Sequence, residues 1–275
     1  MKFIFIAYAD SGMAYSLKAI GCQAEKLGFF DEVILYTPED LPEAVRNSPL
    51  MKFKYGGGYW AWKPWIIDHT LKTHDEGDVV CYVDAGCSLN RTSEWYVYME
   101  LMDRFDTMVF RYPDDVPVWE KYGGSSTKIK HWVKKSAMEY YDTITGGMEW
   151  RECHKILGGF LWFKGKHNPI VEEWLNIVVY HPEIIDDSGV LENQPDFFWR
   201  HKHDQPALTA LTYKYGSSCM IMPELLDGGP DNAAVVATRI RAANCMEYIV
   251  CRTKMTLRSV LGEKMISVMK KALKK

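Results

Sequence analysis

Asp78-Val-Val-Cys-Tyr-Val-Asp-Ala-Gly86 is an unbroken apolar run that ends in a carboxylate and two small residues. Such a run shows no alternation and is too short for a buried helix. It therefore reads as a strand covered on both faces, the kind found in parallel α/β sheets. Ligands of open α/β sheets bind at the carboxyl ends of the strands. Asp84 stands at such an end. Followed by Ala85 and Gly86, its carboxylate can approach a ribose hydroxyl or a divalent cation without obstruction. The plainer alternative is a turn aspartate that only closes the strand.

Working outward, Phe3 to Ala7 is a second run of this kind, followed by a polar-glycine loop (Asp10-Ser-Gly12) and a helical stretch from Met13 to Leu27. Val33 to Tyr36 reads as a strand and Glu39 to Arg46 as a short helix. Pro64 fits the first turn of a helix running to about His74. Beyond Gly86, helices are expected over Ser93–Phe105, Thr127–Tyr141, Pro169–Tyr180 and Asp204–Tyr213. Strands are expected at Thr107–Phe110, at Phe160–Phe163 (entered through Gly158-Gly159) and at Cys219–Met222. Alternating strands and helices predict one α/β domain with a mainly parallel central sheet, over residues 1–252, and a basic tail over 253–275.

The 275 residues are 47% hydrophobic and 25% charged, which suits a folded domain with a sizeable core. The net charge of −3 gives no global field for nucleic acid. Charge is unevenly spread: Arg252 to Lys275 hold eight Lys or Arg against Glu263 alone, a local +7. Apolar residues recur at helical spacing from Leu261 through Met265, Val268, Met269 and Ala272. The tail thus reads as a basic amphipathic helix suited to an anionic membrane surface, or else as a helix packed on the domain with a solvated lysine face. Seven cysteines without a C-x-x-C pair point to reduced thiols and a cytoplasmic setting. No stretch approaches the length of a membrane span, so peripheral contact with the membrane is the most the chain is expected to make.

Three further segments can carry chemistry. In Tyr55-Gly-Gly-Gly-Tyr-Trp-Ala-Trp-Lys-Pro64 three glycines precede Trp60 and Trp62, and Lys63 brings positive charge to a helix start, a natural place for phosphate. The segment matches neither the Walker phosphate loop nor, after the first strand, the dinucleotide fingerprint. In Arg200-His-Lys-His-Asp-Gln-Pro206, Asp204 is placed to cap a helix with Gln205 and Pro206 as its first residues. His201 and His203 read as solvent-exposed, since H-x-H without further ligands is a weak metal signal. Gly158 and Gly159, ahead of a buried strand, allow close approach of a ligand or of a neighbouring helix.

Taken in this order, these segments resemble the nucleotide-sugar-dependent glycosyltransferases of the GT-A fold. The likeness is to the retaining galactosyltransferase and glycogenin-like branch and its relatives that assemble bacterial capsule and lipopolysaccharide, and it spans roughly residues 1 to 225. It implies a donor site of Ala7, Tyr8, Lys63, Asp84, Ala85 and Gly86, and an acceptor and sugar site of Trp60, Trp62, Gly158, Gly159 and His203. Asp204 and Gln205 would lie beside the transferred sugar as the catalytic pair. The chain departs from the family's D-x-D, since Asp84-Ala-Gly86 lacks the second carboxylate, and no histidine follows His203. A divalent cation (Mn²⁺ or Mg²⁺) on Asp84 therefore stays an open expectation.

The resemblance implies transfer of a hexosyl unit from a nucleoside diphosphate sugar, a UDP-sugar first among them, to a glycan or lipid-linked saccharide. Two other classes compete with it. A sugar nucleotidyltransferase would want a basic glycine-rich loop directly after the first strand, which Ala9 to Met13 does not supply. A non-catalytic carbohydrate-binding protein could use the ten tryptophans as stacking platforms.

Overall fold

The computed structural model describes residues 1–112, 126–221 and 233–256. Strands β1 (Phe3–Tyr8), β2 (Glu32–Tyr36) and β3 (Val79–Val83) form where the apolar runs lie. They join β5 (Thr107–Arg111), β6 (Ile156–Lys164) and β7 (Ser218–Ile221) in a six-stranded sheet of order β2-β1-β3-β6-β5-β7. β6 alone runs antiparallel to both its neighbours, so the sheet is mainly parallel, as expected. A short antiparallel pair, β4 (Ser88–Leu89) and β8 (Val235–Val236), lies beyond the Asp84 turn.

Side-chain alternation sorts the core into two layers. Ile4, Ile6, Val80, Tyr82, Leu161 and Phe163 face one side, against α4 (Trp62–Thr73), α7 (Pro169–Tyr180) and α9 (Asp204–Tyr215). Phe5, Ala7, Val79, Cys81, Phe160 and Trp162 face the other, against α1 (Ala14–Leu27) and α5 (Glu94–Arg104). The chain leaves β1 over one face to reach β2 and returns over the other to β3. The carboxyl ends of β1 and β3 thus flank a topological switch point, where open α/β sheets leave a crevice.

Several local expectations change. The stretch 39–46 breaks into a 3₁₀ turn at Pro38–Asp40 and a helix at Glu43–Arg46 (α2), because Pro42 cannot continue a helix from Leu41. Residues 127–141 hold a 3₁₀ turn at Ile129–Trp132, with α6 (Lys135–Thr145) starting after an extended break at Val133-Lys134. Gly158 and Gly159 lie within β6, not ahead of it. Tyr55–Pro64 is no open loop: Gly56–Tyr59 closes a distorted turn (α3), and five successive residues, Gly56 to Trp60, have positive φ. At Gly58 a Cβ would stand 2.9 Å from the Met51 Cα, so no other residue fits there.

A helix through residues 245–256 crosses position 253, and the expected amphipathic stretch from Leu261 lies outside the described residues, as does Met222. Among the described residues no helix is long and apolar enough to cross a membrane. Cys22, Cys81, Cys87, Cys153, Cys245 and Cys251 are free thiols.

Candidate functional site

A cleft of about 520 Å³ opens at the switch point, within the range of small-molecule sites. Tyr8, Ala9 and Asp10 bring the end of β1 to it, Asp84 to Gly86 the end of β3, Gly158 and Gly159 the start of β6, and His203 to Gln205 the start of α9. Trp60, just after α3, and Trp62 and Lys63, at the start of α4, line it as well. Of the residues given donor, acceptor or catalytic roles from the sequence, Ala7 is buried one position behind this lining, and the rest meet in one place.

Lys63 holds the floor together. Its Nζ, on a side chain only 1% exposed, donates to Gly158 O at 2.7 Å and to Asp204 Oδ2 at 3.0 Å, and lies 3.5 Å from Asp84 Oδ1. Burial alone would drive the ammonium to lose its proton. The carboxylates of Asp204 and then Asp84 outweigh this and hold its pKa above the ordinary lysine value. The cation expected to meet phosphate at a helix start is thus buried and shared by two carboxylates.

The two glycines make room for those carboxylates. A Cβ on Gly158 would stand 2.4 Å from Asp204 Oδ2, and one on Gly159 3.0 Å from Asp84 Oδ2. The Tyr82 hydroxyl, two residues earlier in β3, donates to Asp84 Oδ1. Burial, and then the Asp84 charge, push that phenol's pKa well above its usual value, so it remains a donor. Tyr82 was hidden in the sequence, because a tyrosine inside an apolar run reads as core.

Asp204 is not the helix cap it resembles. It is the first helical residue, and the cap position belongs to His203, whose φ of 52° and ψ of −96° are unfavourable for a residue with a side chain. The Asp204 carboxylate turns to the buried ammonium, a stronger partner than a helix N–H. The two histidines are buried, not exposed. His201 Nε2 donates to the carbonyls of Ile184 and Ile185, in α8 (Pro182–Ile185), and its Nδ1 accepts from the Lys134 N–H. His203 bonds the Ile185 carbonyl at 2.9 Å and packs tilted against Tyr59, ring centres 4.4 Å apart. The Tyr59 hydroxyl donates to Asp187. Anchored this way, the strained turn delivers Asp204 and Gln205 to the cleft.

Gln205 offers the cleft an acceptor: its Oε1 is buried and has no hydrogen-bond partner among the described residues. A buried orphan of this kind on a cleft wall fits a ligand hydroxyl or a water. Trp62 stacks on Tyr8 at 3.9 Å and is nearly fully buried, so its face is already used. Trp60 is half-buried, with Tyr55 edge-on at 5.1 Å and 43% exposed, and these two form an aromatic rim.

Among the described residues the donor set does not fit a divalent cation held by the protein. Such ions want several oxygen or imidazole ligands. Position 86 has no side chain, Lys63 stands between Asp84 and Asp204, and no group of three or more His, Cys, Asp or Glu converges among the described residues.

No protein-family profile matches the sequence, and no curated protein aligns with it. Solved structures resemble the fold at low identity. One is a glycosyltransferase involved in the glycosylation of the major capsid of PBCV-1 (10% identity, 73% of this chain and 82% of that one, TM-score 0.39). Another is the galactosyltransferase LgtC in complex with donor and acceptor sugar analogues (15%, 79% and 72%, TM-score 0.37). A third is core-mannan synthase A from Aspergillus fumigatus in its Mn/GDP form (10%, 81% and 73%, TM-score 0.44). Scores of this size describe a distant likeness of outline and carry no chemistry across to this chain.

Proposed function

We propose that this chain is a GT-A-type glycosyltransferase that moves a hexosyl unit from a nucleoside diphosphate sugar, a UDP-sugar first among the donors, to a saccharide acceptor. One observation carries the reading: Asp84 and Asp204, 120 positions apart in the sequence, converge on one buried ammonium at the carboxyl ends of β1 and β3. A strand-end carboxylate serves the ribose and diphosphate side of a donor. A carboxylate and an orphaned amide oxygen deeper in the cleft suit a sugar's hydroxyls. As the glycosidic bond breaks, positive charge grows at the anomeric carbon, and the fixed charge of Asp204 would offset it without reorganisation. Lys63 fixes the position of that charge. Trp60 and Tyr55 at the rim offer the apolar ring faces on which an acceptor saccharide stacks.

A thermal-shift panel of UDP-, GDP-, CMP- and dTDP-sugars tests this, because a ligand that binds only the folded state raises Tm in proportion to RT ln(1 + [L]/Kd). One base class should stabilise the protein, and its sugar nucleotide should be slowly hydrolysed. Stabilisation by oligosaccharides alone, with every sugar nucleotide left intact, would identify a carbohydrate-binding protein instead.

A further inference from the structure

Among its described lining residues the cleft of this acidic protein is basic. Five cations (Lys54, Lys63, Lys202, Arg239, Arg241) line it against three carboxylates (Asp10, Asp84, Asp204) among the described residues. Two of the five come from a segment tied to the Asp84 turn. The Ile240 N–H donates to the Gly86 carbonyl at 3.2 Å, and the Thr238 hydroxyl donates to the same oxygen at 2.9 Å. The Ser16 hydroxyl then donates to the Ile240 carbonyl at 3.0 Å and accepts from the Ala242 N–H at 3.0 Å. Ile240 and Ala242 are buried, while Arg239 and Arg241 between and beside them are exposed and both line the cleft. The backbone bearing both guanidinium groups is therefore pinned on two sides.

Its position matters as much as its charge. The Arg239 Cα lies 3.6 Å from where a Cβ at position 86 would stand. Arginine thus flanks the place where a second carboxylate would help hold a cation. Arginine carries a permanent charge, and its planar fork matches phosphate oxygens in pairs.

On the reading that the donor is a sugar nucleotide, we propose that Arg239 and Arg241 bind its diphosphate and supply the positive charge that a protein-held divalent cation would otherwise provide. As the bond from the anomeric carbon to the diphosphate oxygen breaks, its electron pair leaves with that oxygen and the two guanidinium groups offset the charge. The acceptor hydroxyl oxygen bonds the anomeric carbon, and its proton is lost to solvent.

The test is titration calorimetry of the full chain with inorganic pyrophosphate, with UDP, GDP, CDP and dTDP, and with the matching nucleosides, in EDTA and in Mn²⁺. One nucleoside diphosphate should bind in EDTA within threefold of its affinity in Mn²⁺. Arg239→Ala and Arg241→Ala should each weaken it and pyrophosphate at least tenfold, leave the nucleoside unchanged and keep the wild-type Tm; Arg241→Lys should recover part of the loss. Binding that needs Mn²⁺, or that both alanine variants retain in full, overturns the proposal and leaves the donor reading standing. Failure of every nucleoside diphosphate and sugar nucleotide to bind, with or without Mn²⁺, overturns the donor reading as well.

Discussion

Asp204 has two carboxylate oxygens and a choice of partners, an N–H of its own helix or an ammonium that has lost its water. It takes the ammonium, Lys63, at 3.0 Å. An asparagine there keeps the shape and an acceptor but loses the charge. Asp204→Asn should cut sugar-nucleotide turnover at least a hundredfold, about 2.7 kcal/mol of barrier. The loss of stability should be smaller, because Lys63 keeps Asp84 and the Gly158 carbonyl. Turnover equal to wild type would remove Asp204 from the chemistry. Lys63→Met is the harsher change: removing one partner of a buried pair costs about 3 kcal/mol, since the other charge is left buried. Lys63→Met with Asp204→Asn should regain part of that in urea denaturation; additive losses would show that the pair is not coupled. The glycines give a cleaner probe of the same geometry. Gly158→Ala brings a methyl to 2.4 Å from Asp204 Oδ2, so activity should fall steeply, with about 1–3 kcal/mol of stability lost to overpacking. Gly77→Ala, which meets nothing within 4 Å, should do neither.

The turn into α9 carries its own prediction. Burial, reinforced by the approach of His203 and Lys134, holds the His201 pKa well below that of a free imidazole. The unfolded chain takes up a proton near pH 6.5, and the folded chain does not. Stability therefore falls as pH drops below about 6.5, by up to about 1.4 kcal/mol per pH unit for this one group. His201→Gln, which does not titrate, should flatten that slope in denaturation curves at pH 5 to 7; an unchanged slope would assign it to other groups. This turn also marks a limit of reading the sequence. Arg200-His-Lys-His looks solvent-exposed by composition, yet the carbonyls that bury His201 arrive from α8, 16 and 17 residues upstream. Strands β1 and β3 were legible because continuous apolar runs need no distant partner to declare them. Asp84 and Asp204 were legible as a strand end and a helix start. Their joint cation was not, since Lys63 and Asp204 are separated by 141 positions. Nor were Arg239 and Arg241, whose segment has no period of its own and takes its shape from the Gly86 carbonyl and Ser16.

At the scale of the molecule, topology places the cleft, and the two core layers hold its walls from opposite faces of the sheet. The +7 of residues 252–275 belongs to this scale too. Each basic residue near an anionic membrane contributes about 1 kcal/mol, so a segment of this charge meeting such a surface would dock on it reversibly. Sedimentation with anionic liposomes should fall when residues 253–275 are deleted or salt is raised; unchanged sedimentation would favour a tail packed on the domain. The decisive experiment is simpler. The purified chain is incubated with the sugar nucleotide that raises its Tm most, and release of nucleoside diphosphate is followed for wild type and Asp204→Asn. Steady release by wild type, reduced at least a hundredfold in the variant, is the expected result. No release from any sugar nucleotide, or equal release by both proteins, would contradict transfer at this site.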